Sequence, residues 1–149
     1  SAMKISNKAR LAVAAAANLA QRQDCAPVTL AHLAREHHVS VSHVEQLFAQ
    51  LRRHGLVEGV RGPGGGYRLA RPPADISVAL IIAVIDGPLY DNRSKESDEG
   101  SNLPPTLMNA LAKRLHDFLG QITLADLARR LDLDNSRQGQ TPEKMRNLI

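Results

Sequence analysis

Residues 40–69 combine an amphipathic pattern, a glycine that stops it, and a glycine-rich loop that follows almost at once. Ser40 is suited to cap the start of a helix, and Gly55 is suited to end one in a left-handed conformation. Apolar residues at three- and four-residue steps predict one buried face, formed by Val41, Val44, Leu47, Phe48 and Leu51. The opposite face is polar: Ser42, His43, Glu45, Gln46, Gln50, Arg52 and Arg53.

A short antiparallel hairpin is predicted directly after this helix. Its arms are residues 56–60 and 67–69, and its turn is Arg61-Gly62-Pro63-Gly64-Gly65-Gly66. A phosphate-binding loop is the alternative interpretation of the glycines. It is disfavoured because G-x-x-x-x-G-K-[ST] and G-x-G-x-x-G are both absent, and because a strand rather than a helix follows. The sequence therefore predicts a basic hairpin whose glycines allow close approach to a sugar-phosphate chain.

Two further helices are predicted before this stretch. Residues 5–21 are alanine-rich and free of Gly and Pro, which favours a first helix. Thr29 is suited to cap a short second helix that closes at His37-His38. Two short helices a few residues apart, the second with a polar outer face, are typical of a helix-turn-helix, and the hairpin adds a wing. These neighbours favour a recognition helix at 40–54 over an ordinary amphipathic surface helix.

DNA binding by such a unit predicts distinct roles for its polar side chains. The first turns of the helix are expected to reach base edges in the major groove through Ser42, His43, Glu45 and Gln46. Arg52 and Arg53 are better placed for phosphates, which fix position without reading sequence. At the wing, Arg61 is suited to a narrow minor groove, and Gly64 belongs to the tight turn beside it.

The later chain predicts two more helical regions around a polar loop. Arg71-Pro72-Pro73 excludes further helix or a central strand, and either Asp75 or Ser77 then begins an aliphatic helix that runs to Asp86. Residues 89–105 are polar and without periodicity, which predicts a mobile loop. Pro104-Pro105 are suited to start a helix. That helix carries an unusually broad apolar stripe, which predicts a dimerisation surface at Leu107, Leu111, Leu115 and Phe118.

The predicted fold is therefore mainly α with a small β-hairpin wing. It consists of a winged helix-turn-helix DNA-binding domain at 3–73 and a segment at 74–131 with a linker helix, the loop and the dimerisation helices. Thr123 is predicted to cap a last short helix that ends at Leu131. Residues 132–149 are predicted to form a flexible tail.

Composition limits what else the chain can be. Of its 149 residues 43% are hydrophobic but only 3% aromatic, so the core must be aliphatic. The net charge of +4 and the pI near 9.6 are compatible with a polyanionic partner without proving one. No run of apolar residues approaches the ~20 that cross a bilayer. No secretory signal is visible, which predicts a cytoplasmic protein without a membrane partner.

Chemistry-bearing residues are few. Cys25 is the single cysteine, which excludes an internal disulfide and a cysteine-built metal site, so no metal or other cofactor is predicted. It is interpreted as a small packed residue, with redox sensing as the alternative. The spacing of His32, His37, His38 and His43 does not converge on a tetrahedral metal site, so they are interpreted as polar surface residues. No nucleophile–base pair is found, and an enzyme is not predicted.

Three stretches resemble the IscR-type (Rrf2) family of bacterial regulators. They are VSVSHVEQLFAQLRRHGLVEGVRGPGGGYRLA, ADISVALIIAVIDGP and LAKRLHDFLGQITLADL. The resemblance implies a homodimeric winged-helix regulator, usually a repressor, whose penultimate helix crosses its twin. It also implies DNA contacts at Ser40, Ser42, His43, Glu45, Gln46 and Arg61. His43 stands where the family often has tyrosine, which leaves base preference at that position open.

The chain departs from the cluster-binding members of that family in the loop. Those members place three cysteines there, often with one further ligand, whereas this chain has Ser94 at the first position, Asn102 at the third and Pro105 at the place of a ligating histidine. The chain instead resembles the cysteine-poor branch, which includes a repressor controlled by a partner protein. A serine introduced in place of a native cysteine at Ser94, Ser97 or Ser101 would look the same in the sequence as a native serine. At Ser97 and Ser101, however, the spacing does not match that of the family's cluster cysteines.

The sequence thus predicts a sequence-specific, dimeric DNA-binding repressor. One alternative is an adaptor or regulator that is controlled mainly by a partner protein and for which DNA binding is weak or secondary. Another is a regulator whose small-molecule ligand sits between the wing domain and the dimer helices.

Overall fold

The fold was analysed in a computed structural model, which describes residues 4–89 and 104–146. In chain order the helices are α1 (Asn7–Gln21), α2 (Leu30–Glu36), α3 (Val41–Arg53), α4 (Val78–Asp86), α5 (Pro105–Gly120) and α6 (Leu124–Arg146). Strands β1 (Val57–Val60) and β2 (Gly66–Leu69) lie between α3 and α4. Most of the predicted mobile loop, residues 90–103, lies outside the described residues. None of the described helices is both long and apolar enough to span a membrane.

Hydroxyl side chains start four of the helices. Each accepts a hydrogen bond from the backbone N–H three residues later, which satisfies a donor that the helix itself leaves unpaired. The capping residues are Ser6, Thr29, Ser40 and Ser77. The predicted caps of α2 and α3 are confirmed, and Ser77 rather than Asp75 starts α4. A 3-10 turn, Pro73–Asp75, forms where no helix was predicted, because proline fits a first helical position.

The helices α2 and α3 end in the same way. After α3, the Gly55 N–H donates to the Arg52 carbonyl (2.9 Å) and the Leu56 N–H donates to the Leu51 carbonyl (3.0 Å). After α2, the corresponding bonds run from His38 to Arg35 (3.3 Å) and from Val39 to Ala34 (3.0 Å). Both are Schellman caps, which need a left-handed residue just beyond the helix. Gly55 supplies it with φ 71°, as predicted, whereas His38 adopts φ 56° without being glycine.

The core is aliphatic, as predicted from composition. Its largest fully buried side chain is Phe48, whose ring meets Tyr67 edge-on with centroids 5.2 Å apart. The main cluster draws on nearly the whole fold and includes Ala12, Ala16, Leu19, Leu33, Val44, Leu47, Leu51, Val57, Ile76, Ile81, Leu124 and Ala128. The placement of Val41 on the buried face was wrong, since its side chain is 46% exposed. Val39, from the preceding turn, packs against the core instead.

The wing is fixed to the body of the protein through its second strand. The strands β1 and β2 are antiparallel, with Val57 opposite Leu69 and Val60 opposite Gly66. Tyr67 exchanges two backbone hydrogen bonds with Val28, at 2.7 and 2.9 Å, in the connector before α2. The hairpin is therefore attached to the helix-turn-helix as well as joined to it through the chain.

Hydrogen bonds join the start of α6 to residues 76–78 and its third turn to the end of α1. The Val78 N–H donates to the Ile122 carbonyl (2.8 Å), and the Leu124 N–H donates to the Ile76 carbonyl (2.9 Å). The Gln21 amide at the end of α1 donates to the Asp132 carboxylate (2.8 Å). The first two bonds hold the start of α6 against residues 76–78, and the third holds its third turn against the end of α1. Leu124 and Ala128 join the main core cluster.

The predicted end of α6 at Leu131 was wrong. The helix continues to Arg146, so residues 132–146 are helical where a flexible tail was predicted. The prediction stopped where the apolar spacing stops. Once the packed first turns exist, however, each further residue adds a backbone hydrogen bond without a new nucleation cost. Arg130 also lies 3.7 Å from Asp134 one turn later, an exposed pair of the kind that supports polar helices.

A reciprocal cap fixes where α6 begins. The Thr123 N–H donates to the Asp126 carboxylate (3.0 Å), and the Asp126 N–H donates to the Thr123 hydroxyl (3.2 Å). The backbone hydrogen bond from Thr123 is the main reason that the pKa of the Asp126 carboxyl lies below its ordinary value of 3.8. Thr123 thus caps this helix as predicted.

Candidate nucleic-acid interface

The outer face of α3 presents most of the polar side chains that the sequence singles out. Ser42, Glu45, Gln46, Arg52 and Arg53 are exposed, and His43 is half-buried. The hydroxyl oxygen of Ser40 accepts the His43 N–H at 3.1 Å, so its own O–H proton stays available for donation. The first two turns therefore carry donors and acceptors toward solvent, and the two arginines follow in the last turn.

The wing tip is a turn that only glycine can form. Arg61 and Gly64 are exposed, and Gly62 and Gly64 have φ of 97° and 75°. The Gly65 N–H donates to the Gly62 carbonyl at 2.9 Å, and a Cβ placed on Gly65 would lie 2.2 Å from the Val60 carbonyl oxygen. The turn at the end of the hairpin is therefore tight, and Arg61 lies exposed beside it.

Two other arginines flank this surface with different environments. Arg68 of β2 lies 2.6 Å from the Glu58 carboxylate, so its charge is balanced on the wing itself. Arg71 is exposed, and its guanidinium lies 3.5 Å from the His54 carbonyl oxygen at the C-terminus of α3. From the sequence, Arg71 was interpreted only as part of Arg71-Pro72-Pro73, the segment that excludes further helix. Because Arg71 lies beside the end of α3, it adds a third cation to Arg52 and Arg53. This position was predictable, since an antiparallel hairpin that follows α3 returns the chain to the end of that helix.

The predicted dimerisation residues divide into two kinds. Leu107, Leu111 and Phe118 are 44%, 40% and 59% exposed and lie along one strip of α5, since the spacings 4 and 11 return to one side of a helix. Leu115 is half-buried and packs against a second core cluster formed by Ala9, Val78, Ile82 and Leu89. The structure therefore brings three of the four predicted residues to an open apolar strip.

Soft metal donors are scarce. Cys25 is exposed in the connector after α1, so its interpretation as a packed residue was wrong. Within residues 4–89 and 104–146, no three side chains of His, Cys, Asp or Glu come together as metal ligands. His32 pairs with Glu36 at 3.1 Å, and His37 lies 2.9 Å from the Asn18 amide. One cysteine per chain does not fit an iron–sulfur cluster, which is built almost wholly on thiolates.

Comparison with known proteins identifies the family. Residues 5–130 match the family model Rrf2, described as an iron-dependent transcriptional regulator. IscR of Yersinia pseudotuberculosis, an HTH-type transcriptional regulator, is 39% identical over 135 residues, which cover 88% of this chain and 82% of IscR.

Solved structures agree with that match. CymR, the global cysteine regulator of B. subtilis, superposes with a TM-score of 0.75 at 30% identity, over 86% of this chain and 98% of CymR. IscR of T. potens gives a TM-score of 0.69 at 36% identity, over 87% and 88%. Both the length of the match and its identity exceed what a shared fold alone requires. The chain is therefore a member of the Rrf2 family of winged-helix transcriptional regulators, which are not enzymes.

Proposed function

We propose that this regulator is a cytoplasmic repressor that binds promoter DNA sequence-specifically as a homodimer. The helix α3 enters the major groove and the wing lies at the minor groove. The observation that carries this proposal is the run of exposed polar side chains on the first turns of α3, flanked by Arg61 at the tip of an anchored hairpin. A wing held to the body by Val28 and Tyr67 keeps a constant position relative to α3.

Base recognition follows from the donors and acceptors of α3. A carboxylate at Glu45 accepts from the amino group of cytosine, an amide at Gln46 is suited to adenine, and the Ser42 hydroxyl serves either role. Replacing Glu45 or Gln46 by Ala should alter preference at one or two positions by ~1–3 kcal/mol.

Affinity is supplied largely by phosphate contacts. Arg52, Arg53 and Arg61 of two subunits offer six cations, for which the slope of log K against log salt is about −5. If Arg61 meets only phosphate, Arg61→Ala should remove two of these charges per dimer and make the slope less negative by about 2. If Arg61 enters the minor groove, the same change should also relax a preference for A·T base pairs. A matched control is Arg129→Ala, since Arg129 is exposed on α6 and pairs with Asp126 away from α3.

The test of DNA binding is selection of bound sites from random duplexes by the purified protein, followed by titrations across salt concentrations. The proposal expects one enriched palindrome and a steep salt dependence that Arg61→Ala weakens and Arg129→Ala leaves unchanged. Recovery of no enriched sequence would refute specific DNA binding and favour the adaptor alternative.

Dimerisation is proposed through the open strip of α5. An apolar strip of this kind on a small protein is suited to burial against its twin. Leu111→Glu and Phe118→Glu should each give monomers with weak DNA binding, whereas Leu133→Glu, at a residue 56% exposed on α6, should remain dimeric. Sedimentation at tens of micromolar distinguishes these states, and a monodisperse wild-type monomer would refute the proposal.

Control by an iron–sulfur cluster is not part of the proposed function, because the chain offers one thiolate at most. We expect DNA affinity to be the same in air and under nitrogen after anaerobic treatment with iron and sulfide. A stable visible absorbance band with stoichiometric iron and sulfide would overturn this expectation.

A second candidate function is regulation by a small effector. The observation in its favour is a cavity of about 370 Å³ between α1, the end of α2 and α6, with Ala14, Ala17 and Leu127 on its apolar side and Asn18 and His37 on its polar side. A ligand there would touch both the first helix of the helix-turn-helix and α6. A metabolite that raises the melting temperature of the wild type, but not of Ala14→Phe, would support it.

A further inference from the structure

Val41 is an apolar residue in an unexpected place. Its side chain is 46% exposed at the first position of α3, between the capping Ser40 and the exposed Ser42. The other large apolar side chains exposed among the described residues are Leu107, Leu111, Phe118 and Leu133, which all lie on α5 and α6. Among these exposed apolar residues, Val41 is therefore the only one on the winged-helix half of the described structure.

Packing does not explain a valine at this position. The neighbouring core positions are filled by Val39 and by Val44, which is 1% exposed. A β-branched residue is also a weaker helix former than Ala, Glu or Gln, so helix stability would favour another choice. A valine here would contribute free energy of burial when a binding partner covers its exposed side chain.

The helix geometry shows where that burial would occur. Val41 and Glu45 are separated by four residues, so their side chains lie on one side of α3, about 5–6 Å apart between Cβ atoms. Glu45 is exposed in the second turn, on the face that the proposed function places in the major groove. Successive base pairs are stacked about 3.4 Å apart, so these two side chains would meet neighbouring base pairs.

We propose that Val41 is a specificity-determining residue that recognises thymine by covering its C5-methyl group. This inference rests on the proposed function and deepens it. In the major groove, thymine is the base that presents a methyl group, and an apolar side chain distinguishes it from cytosine, adenine and guanine. The thymine lies next to the base pair that Glu45 contacts, and each half-site contains one.

The test replaces thymines in the selected site by deoxyuridine, one at a time, which removes only the C5-methyl group. Dissociation constants are measured at constant salt for the wild type, Val41→Ala and Ser42→Ala. Ser42→Ala is the matched control, since it removes a neighbouring exposed side chain and keeps the valine. Because Val41 is exposed, Val41→Ala should fold normally, which circular dichroism and a melting curve check.

At one thymine per half-site, deoxyuridine should weaken wild-type binding roughly fourfold, the equivalent of one buried methyl group. Ser42→Ala should show the same penalty. Val41→Ala loses the contact in both half-sites, so it should bind the natural site roughly sixteenfold more weakly and be indifferent to the deoxyuridine. The base pair that contains this thymine should lie next to the base pair at which Glu45→Gln changes the sequence preference.

The inference is overturned if no thymine shows a methyl effect, or if Val41→Ala retains the full penalty at every sensitive thymine. Either result leaves the proposed function intact, because a selected site would still exist. Failure to select any site would refute the proposed function and, with it, the role of Val41.

Discussion

Replacing His38 by glycine should stabilise this protein. His38 occupies the left-handed position of the Schellman cap after α2, with φ 56°, where most residues other than glycine are strained. The left-handed conformation costs an L-residue about 1–2 kcal/mol. Glycine removes that cost but adds about 0.5–1 kcal/mol of chain entropy in the unfolded state. The free energy of unfolding of His38→Gly should therefore rise by about 0.5–1 kcal/mol.

The chain contains its own reverse experiment. Gly55 occupies the equivalent position after α3 with φ 71°, and a Cβ there would lie 3.7 Å from the Arg71 guanidinium, an ordinary contact. Gly55→His should thus lower the free energy of unfolding by a similar ~0.5–1 kcal/mol, which is the backbone strain less the chain entropy that glycine adds to the unfolded state. The two changes test the same balance of strain and entropy with opposite signs.

Urea unfolding at one fixed protein concentration measures both variants, because the stability of the proposed homodimer would depend on concentration. In melting curves the shifts should be about 1–4 °C, upward for His38→Gly and downward for Gly55→His. A lower stability of His38→Gly, or an unchanged stability of Gly55→His, would refute the reasoning that backbone strain decides both positions.

Three other perturbations follow from contacts in the fold. Gly65→Ala places a Cβ 2.2 Å from the Val60 carbonyl oxygen. It should lower the free energy of unfolding by about 1–3 kcal/mol and weaken DNA binding. Gly59→Ala, whose Cβ would make only an ordinary 3.9 Å contact, should be near neutral in the same unfolding and titration assays. The hydrogen bonds from Thr123 lower the pKa of Asp126, so its stabilising effect is present above the ordinary value of 3.8 and is lost as pH falls through the lower folded value. Asp126→Asn should flatten the fall of stability in that acid range, which unfolding curves below pH 4 measure; an unchanged acid profile would contradict this. Cys25 is exposed, so a thiol reagent should titrate one thiol per folded chain, and alkylation should leave DNA affinity unchanged. Affinity that is lost on oxidation and restored by a reducing agent would instead make Cys25 a redox site.

Local signals explain why much of the fold was predictable from sequence. Thr29 and Ser40 each satisfy a backbone donor three residues away, and Gly55 supplies a left-handed residue, so these boundaries depend only on nearby chain. The wing was predictable for the same reason, since its tight turn is a glycine requirement. Most of the proposed DNA-binding side chains followed directly, because helix periodicity places them opposite the core.

The predictions that failed depend on packing contacts that the periodicity of a single helix does not show. Periodicity put Val41 at the edge of the apolar stripe, but whether that edge is covered depends on the turn after α2, where Val39 packs instead. Leu115 and Leu111 have equal standing in the sequence, yet only Leu115 is covered, by the cluster around α4. The length of α6 was missed because its apolar spacing stops near Leu131, whereas a helix whose first turns are already packed can continue through polar residues.

The attachment of α6 to α1 has a consequence for how this protein comes into being. The hydrogen bond between Gln21 and Asp132 joins residues more than a hundred positions apart, and closing a loop of that length is slow and late in folding. During synthesis α1 emerges first, and the part of its alanine-lined side that packs against α6 stays uncovered until Leu124 and Ala128 have been made. An interrupted translation product that ends before residue 124 would lack part of the core that supports α3. We therefore expect unfinished chains to be cleared by proteases rather than to compete with the complete regulator for its operators.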